Sequence, residues 1–312
     1  MKRTILILAS CLCVSAYRVM AASAEFAFRD DPETGTMTLY EDDAPVFSFV
    51  YEPGRVEHAE GVEDRALRAG YLHPIYDLDG EPITRGPHVS DHPHHRGAWL
   101  SWPWMRVRGQ QVELWHPSPL RQRFVRWIEQ QTAPGHATLI GENYWILDGD
   151  TVGREVVNAT AHSTDDTGRI IDLTYTVEAI DEPIEVRGQS QRGYGGLCVR
   201  TAQSLQGGQL RTHEGALEGD DDGSRYDWAS LSDEHRGIAV FAHPDNPGAP
   251  QTWLIRHSYG GILNPQWPGR EVATLTPGEP VTLRYRLYIH RGAADQERLD
   301  AVYRDWINKA AE

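Results

Sequence analysis

Val281-Thr-Leu-Arg-Tyr-Arg-Leu-Tyr-Ile-His290 decides the fold of this 312-residue chain. Leu283, Tyr285, Leu287 and Ile289 alternate with Thr282, Arg284 and Arg286, which is the period of a strand with one face buried. The same period recurs in residues 169–180, 36–40 and 46–50, all rich in β-branched or aromatic residues. Shorter candidate strands lie at 97–102, 124–129, 137–145, 152–161, 197–202, 237–242 and 252–257. Asp79-Gly80, Pro134-Gly135, Asp148-Gly149-Asp150, Asp222-Gly223 and Pro277-Gly278 supply turn chemistry around them. Many short strands with no helical period between them predict a mainly-β fold. The expectation is a large antiparallel β-sandwich, of supersandwich or jelly-roll type. Only residues 294–310 carry a helical period, with Leu299, Val302 and Trp306 on one stripe, so one C-terminal α-helix is expected as a lid or brace. No linker or internal repeat interrupts residues 25–312, which read as a single domain. Two long irregular stretches, 54–90 and 207–224, are expected to be functional or mobile loops.

Residues 1–24 read as a signal peptide. Lys2 and Arg3 precede a short apolar core at 5–14, and Ala22-Ser23-Ala24 supplies a small-residue cleavage site. The expected location is periplasmic or extracellular; a lipoprotein site at Cys11 is the alternative, though its apolar core would be short. No later stretch approaches the roughly 18 apolar residues of a membrane span. Loss of the signal leaves Cys198 as the one thiol, so no internal disulfide is expected and stability rests on a core. The formal charge of −15 argues against nucleic-acid partners and anionic membrane surfaces. A local arginine pocket for one carboxylate remains compatible with it.

Of 14 histidines, three fall in Asp91-His92-Pro93-His94-His95-Arg96-Gly97. Imidazole titrates near neutrality, so such a cluster serves proton transfer or metal binding. In an extended segment His92 and His94 share one face and His95 takes the other. His92 and His94, with His73, form a candidate divalent-metal set. Tyr71, Arg85, Trp99, Trp102 and Trp115 flank the cluster and suit a sugar cleft, because an aromatic face stacks on a pyranose while polar groups take its hydroxyls. Arg200 ends an apolar strand and needs an anionic partner there. Tyr226-Asp227 places a phenol beside a carboxylate, and His243-Pro244-Asp245-Asn246-Pro247 is a rigid polar turn. Trp253, Arg256, His257, Tyr259 and Asn264 make a second polar-aromatic group. Residues 218–223 match only part of a calcium loop, with Ala229 where the closing glutamate belongs, so a solvated acidic turn is expected. Nucleophile-elbow, Walker and His-Glu-x-x-His motifs are absent.

Tyr71-Leu-His-Pro-Ile-Tyr76, Asp79-Gly80, Thr84-Arg85 and the 91–97 segment together resemble the exported bacterial family labelled PmoA-like, or methane-oxygenase-like. The resemblance continues through Trp115, Gly196-Leu197, Val199-Arg200, Phe241, His243-Pro244, Asn246-Pro247, Pro250, Trp253, Asn264-Pro265 and residues 278–290. The integral-membrane methane monooxygenase needs several apolar spans, and this chain has none after its signal. The resemblance therefore implies a secreted β-sandwich of a family often found beside polysaccharide-degrading enzymes.

The residues and the resemblance together lead to a secreted carbohydrate-active enzyme acting on oligosaccharides. Its catalytic set is expected to be His73, His92, His94, His95, Arg96, Arg200, Asp227 and His243. Elimination is the favoured chemistry, since it needs a base, an acid and a cation to hold enolate-like charge. A glycoside hydrolase using Asp227 and a second carboxylate is one rival. A non-catalytic carbohydrate-binding protein is the other. A divalent metal is the one cofactor considered, and no nucleotide or organic cofactor is expected.

Overall fold

The alternating runs become strands because each has an apolar face to bury, and the strands pair into two large sheets. The structure is a computed structural model that describes residues 24–52, 68–86, 94, 96–258 and 261–309. Among these residues one nine-stranded antiparallel sheet runs in the order Phe26–Asp31, Thr36–Glu41, Ala44–Val50, Tyr71–Ile75, Ala98–Ser101, Gly196–Arg200, Ile262–Pro265, Thr252–Arg256, Asp221–Arg225. A second nine-stranded sheet runs Gly215–Leu217, Gln209–Thr212, Trp228–Ser232, Arg236–Ala242, Val281–Arg291, Gly168–Ala179, Asp150–His162, His136–Leu147, Arg121–Ala133. The fold is the mainly-β antiparallel sandwich that the alternation predicts, with one α-helix, Gln296–Lys309, at its end.

Alternation divides each sheet into an inner and an outer face. Leu283, Tyr285, Leu287 and Ile289 point inward, and with Leu72, Leu100, Leu197, Val199, Trp253 and Leu263 they belong to one continuous core between the sheets. Leu299, with Val302, Tyr303 and Trp306, packs on Trp228, Phe241 and Tyr288 at the outer face of the second sheet. The helix is a brace, and the Trp228 indole N–H donates to Asp300 Oδ1 at 3.0 Å to fix its register. Asp148 and Gly149, both at positive φ, turn His136–Leu147 into Asp150–His162 as a tight hairpin. Asp222-Gly223 departs from its expected role. It lies inside Asp221–Arg225, where the pairing register shifts, and the 207–224 stretch is largely strand because its backbone groups pair at the sheet edges.

A third sheet of four short strands, Ala273–Leu275, Ile184–Arg187, Trp104–Val107 and Gln110–Val112, stands beside the sandwich. Its importance is positional. Ile184–Arg187 leads into the loop 188–195, and Gln110–Val112 leads into 113–120. The first loop is tied by Gly188 N–H to Gly269 O at 2.8 Å and Gln189 N–H to Tyr194 O at 2.9 Å. The Gln189 side-chain oxygen accepts from the backbone N–H groups of Gln191 and Arg192, at 2.9 and 2.7 Å.

Candidate active site on the outer face of the first sheet

Directly opposed residues of antiparallel strands point to the same face. Trp99 therefore shares its face with Cys198, and Arg200, Ile262 and Arg256 form one row across three strands. This face carries a second apolar cluster, made of Val50, Tyr71, Trp99, Trp115, Cys198, Leu254 and Ile262, with Tyr194 packed against it. Close approach of the strands here requires Gly97, since a Cβ would lie 2.1 Å from Leu72 O and 2.8 Å from His73 Cβ.

Above this floor is a cleft of about 330 Å³. The 113–120 loop contributes Trp115 and His116, and the 188–195 loop contributes Gln189, Arg192 and Tyr194. His94 and Arg256 complete the polar lining over Leu254 and Ile262. The His94 and His116 rings lie 4.5 Å apart. Glu113 holds His116 twice, accepting from its backbone N–H at 3.1 Å and pairing with Nδ1 at 2.8 Å. Trp115 is 4% exposed and sits 5.0 Å from the Tyr194 ring, so it stiffens the wall while the half-buried Tyr194 ring is presented to the cleft. Burial, and then the Glu113 charge, push the Tyr194 phenol upward, which keeps its proton in place. Arg192 Nε is 3.9 Å from Asp222 Oδ2, beyond hydrogen-bond reach.

Arg96 lies under the cleft, buried, and donates from Nη1 to the His94 carbonyl at 2.6 Å. Its guanidinium is 5.8 Å from the Tyr71 ring centre. Burial lowers Arg96 to about 10 and raises Tyr71 to about 12. His73 is buried, with Nδ1 3.0 Å from Thr84 Oγ1, which also accepts the Ile75 N–H at 2.9 Å. Arg200 is buried on the same face, and its carbonyl accepts the Arg85 N–H at 3.0 Å.

The structure divides the expected residues among several places. His94, Arg96, Tyr71, Trp99 and Trp115 gather at the cleft or beneath it, while His92, His95 and Tyr259 lie outside the described residues. Trp102, expected in the cleft, and Trp253, expected in the second polar-aromatic group as a substrate contact, are instead in the core between the sheets, where strand alternation sends them. Their indole N–H groups donate to Trp267 O at 2.8 Å and Tyr226 O at 2.7 Å. Asn264 is a backbone clamp, accepting from Gly195 N–H at 3.3 Å and donating to the carbonyls of Gly195 and Leu197. His257 pairs with Asp220, its backbone N–H donating to Oδ1 at 3.0 Å. Tyr226, Asp227 and His243 line a separate pocket of about 180 Å³ beside the helix, so they do not share one site with His94. Of the expected metal set, His92 is not described. Among the described residues no group of three His, Cys, Asp or Glu side chains is placed to hold a metal ion. Sequence reasoning missed His116, Glu113, Gln189, Arg192 and Tyr194. The signal for the last three was the run Gly188-Gln-Ser-Gln-Arg-Gly-Tyr-Gly-Gly196, a loop composition that displays its few large side chains.

No curated protein matches this chain. Among solved structures, an aldose epimerase homologue from C. elegans is 9% identical, with a TM-score of 0.41, 87% of this chain covered and 100% of that chain. The galactose 1-epimerase from Lactobacillus acidophilus is 11% identical, with a TM-score of 0.41 and coverages of 88% and 100%. The heparan sulfate lyase from Pedobacter heparinus is 7% identical, with a TM-score of 0.42, and the match spans 86% of this chain and 37% of that one. The assignment to the PmoA-like family is corrected by the family match, and its name finds no support in the fold. The chain is a β-sandwich, and among its described residues no helix is long and apolar enough to cross a membrane, unlike the helical, membrane-integral PmoA proteins. Residues 36–304 match another family throughout, and the chain belongs to it: the Family of unknown function (DUF6807).

Proposed function

We propose that this is an exported carbohydrate-active enzyme whose outer-face cleft takes a short, carboxylate-bearing oligosaccharide and acts on it by elimination. The observation that carries the reading is the His94–His116 pair, 4.5 Å apart, in a cleft lined by Arg192 and Arg256 in a chain of charge −15. Cations concentrated at one cleft of an acidic protein are suited to an anionic ligand. Tyr194 offers a ring for the apolar face of a sugar. In the reaction one imidazole takes the proton on the carbon next to the carboxylate. That C–H pair becomes the new double bond as the C–O bond to the leaving sugar breaks. The second imidazole or the Tyr194 phenol gives its proton to the departing oxygen. Arg192 and Arg256 hold the carboxylate as charge builds on it. Glu113 keeps the His116 ring in place.

The lining residues described contain no carboxylate, which weighs against a paired-carboxylate hydrolysis in this cleft. A non-catalytic sugar-binding role would use the same aromatic and arginine groups without needing the imidazoles. Incubation with uronate-containing and neutral oligosaccharides, read by mass spectrometry and ultraviolet absorbance, separates these readings. Elimination yields an unsaturated uronate product with no gain of water. A product heavier by one water would support hydrolysis, and unchanged sugars that still bind would support a binding protein.

A further inference from the structure

The second pocket, about 180 Å³, lies where the chain crosses from the first sheet to the second at Tyr226 and Asp227. Its other walls are the 242–251 turn and Tyr303 of the C-terminal helix. The turn is held rigidly. Asn246 donates from Nδ2 to Arg284 O at 2.8 Å and accepts the Arg284 N–H at 2.7 Å. His243 is 3% exposed and Gln251 2% exposed, and both line the pocket. His243 Nδ1 accepts the Asp245 N–H at 3.2 Å, which leaves the proton of the neutral ring on Nε2. That Nε2, and both ends of the Gln251 amide, have no hydrogen-bond partner among the described residues. The Tyr285 hydroxyl is close to the Gln251 amide, yet no bond of acceptable geometry joins them. Native chains leave few buried polar atoms unsatisfied, because each costs about 1–3 kcal/mol. Several of them beside one preformed pocket point to a molecule that supplies the missing partners.

The polar groups of the lining residues are donors at His243 and Gln251 and acceptors at Gln251 and Asp227, beside an aromatic wall at Tyr303. Hydroxyls, each both donor and acceptor, complement this set, and the Asp227 carboxylate disfavours an anion. We propose that this pocket is a second binding site, separate from the cleft, for one neutral sugar unit held by His243, Gln251 and Asp227 against Tyr303. Such a site would grip an uncharged end or branch of a carbohydrate independently of what the cleft does.

The test is a nuclear magnetic resonance titration of the isotopically labelled full chain with D-glucose, D-galactose, D-xylose and D-galacturonate. At least one neutral sugar is expected to produce saturable shifts at the Gln251 side-chain amide and the Trp306 indole, which lies against His243. Galacturonate is expected to leave those signals in place. Gln251→Leu should weaken neutral-sugar binding at least tenfold without lowering the melting temperature, since it removes unsatisfied atoms. If that variant fails to fold, Asp227→Asn at the pocket mouth carries the same expectation of a tenfold loss. The proposal is overturned if no neutral sugar shifts these signals up to about 50 mM, a limit that already admits very weak binding. Shifts confined to the cleft around Trp115, or a Gln251→Leu or Asp227→Asn protein that binds as the parent does, would also overturn it. The cleft is judged by the elimination assay on uronate oligosaccharides and this pocket by the Gln251 and Trp306 signals, so the two readings fail separately.

Discussion

Two residues show how local environment sets chemistry in this chain. His116 is 43% exposed at its side chain and is anchored by Glu113, so replacing it removes an imidazole from the cleft and little packing. His116→Ala and His94→Ala are each expected to lower turnover on a confirmed substrate by roughly 10²–10⁴-fold. The melting temperatures should stay close to the parent's, and a variant that keeps full turnover would remove the imidazole pair from the mechanism. Glu155 is the opposite case, fully buried, with Oε1 accepting from Gln122 at 2.6 Å and Asn143 at 3.2 Å. Burial raises its carboxyl from 4.5 to about 7, against the pull of Arg68. The folded chain thus keeps a proton that the unfolded chain releases across that window, so this residue's contribution falls as pH rises from about 4.5 to 7. His243 and His290, lowered by burial, act with the opposite sign below their ordinary value of 6.5. The Glu155 part is isolated by subtracting the unfolding free energies of Glu155→Gln from those of the parent. Denaturant curves should show that difference dropping by about 1–3 kcal/mol between pH 5 and 8, and a flat difference would contradict the assignment.

At the scale of elements, the helix and the small sheet do different work. The helix buries Leu299, 1% exposed, among Trp228, Phe241 and Tyr288 on the face of the second sheet away from the cleft. Leu299→Ala should cost about 2–5 kcal/mol by leaving a cavity. Binding of a charged oligosaccharide to the cleft should survive wherever the protein remains folded. Chemical denaturation with a binding assay on the same samples checks both, and a loss of binding without unfolding would tie the helix to the cleft. The small sheet, by contrast, aims the two loops that carry His116, Arg192 and Tyr194.

For the whole molecule, the contrast between a chain charge of −15 and an arginine-lined cleft makes a prediction about salt. Arg192→Ala should weaken binding of a uronate oligosaccharide by about tenfold, the loss of one charge-assisted contact. Raising ionic strength should weaken the parent more than the variant, because exposed charges are screened beyond about 10 Å at 0.1 M salt. Equal salt slopes in calorimetry would count against an ionic contact there. The period-two runs determined the sandwich by themselves, because alternation dictates which side chains of a strand can be buried together. Leu283, Tyr285 and Leu287 were legible as core, and Leu299, Val302 and Trp306 as a helix stripe, from local spacing alone. The site was legible only in part, at His94, Arg96, Tyr71 and Trp115. Alternation says that Trp99 and Leu100 face opposite ways, but not which way is the core. That choice came from the pairing of Trp99 with Cys198 and of Arg200 and Arg256 with Ile262. The union of Arg192, His116 and His94 in one cleft, and the removal of Asp227 and His243 to another pocket, were decided by tertiary structure. These residues are far apart in sequence, and only the order of strands in a sheet, a non-local property, brings their ends together.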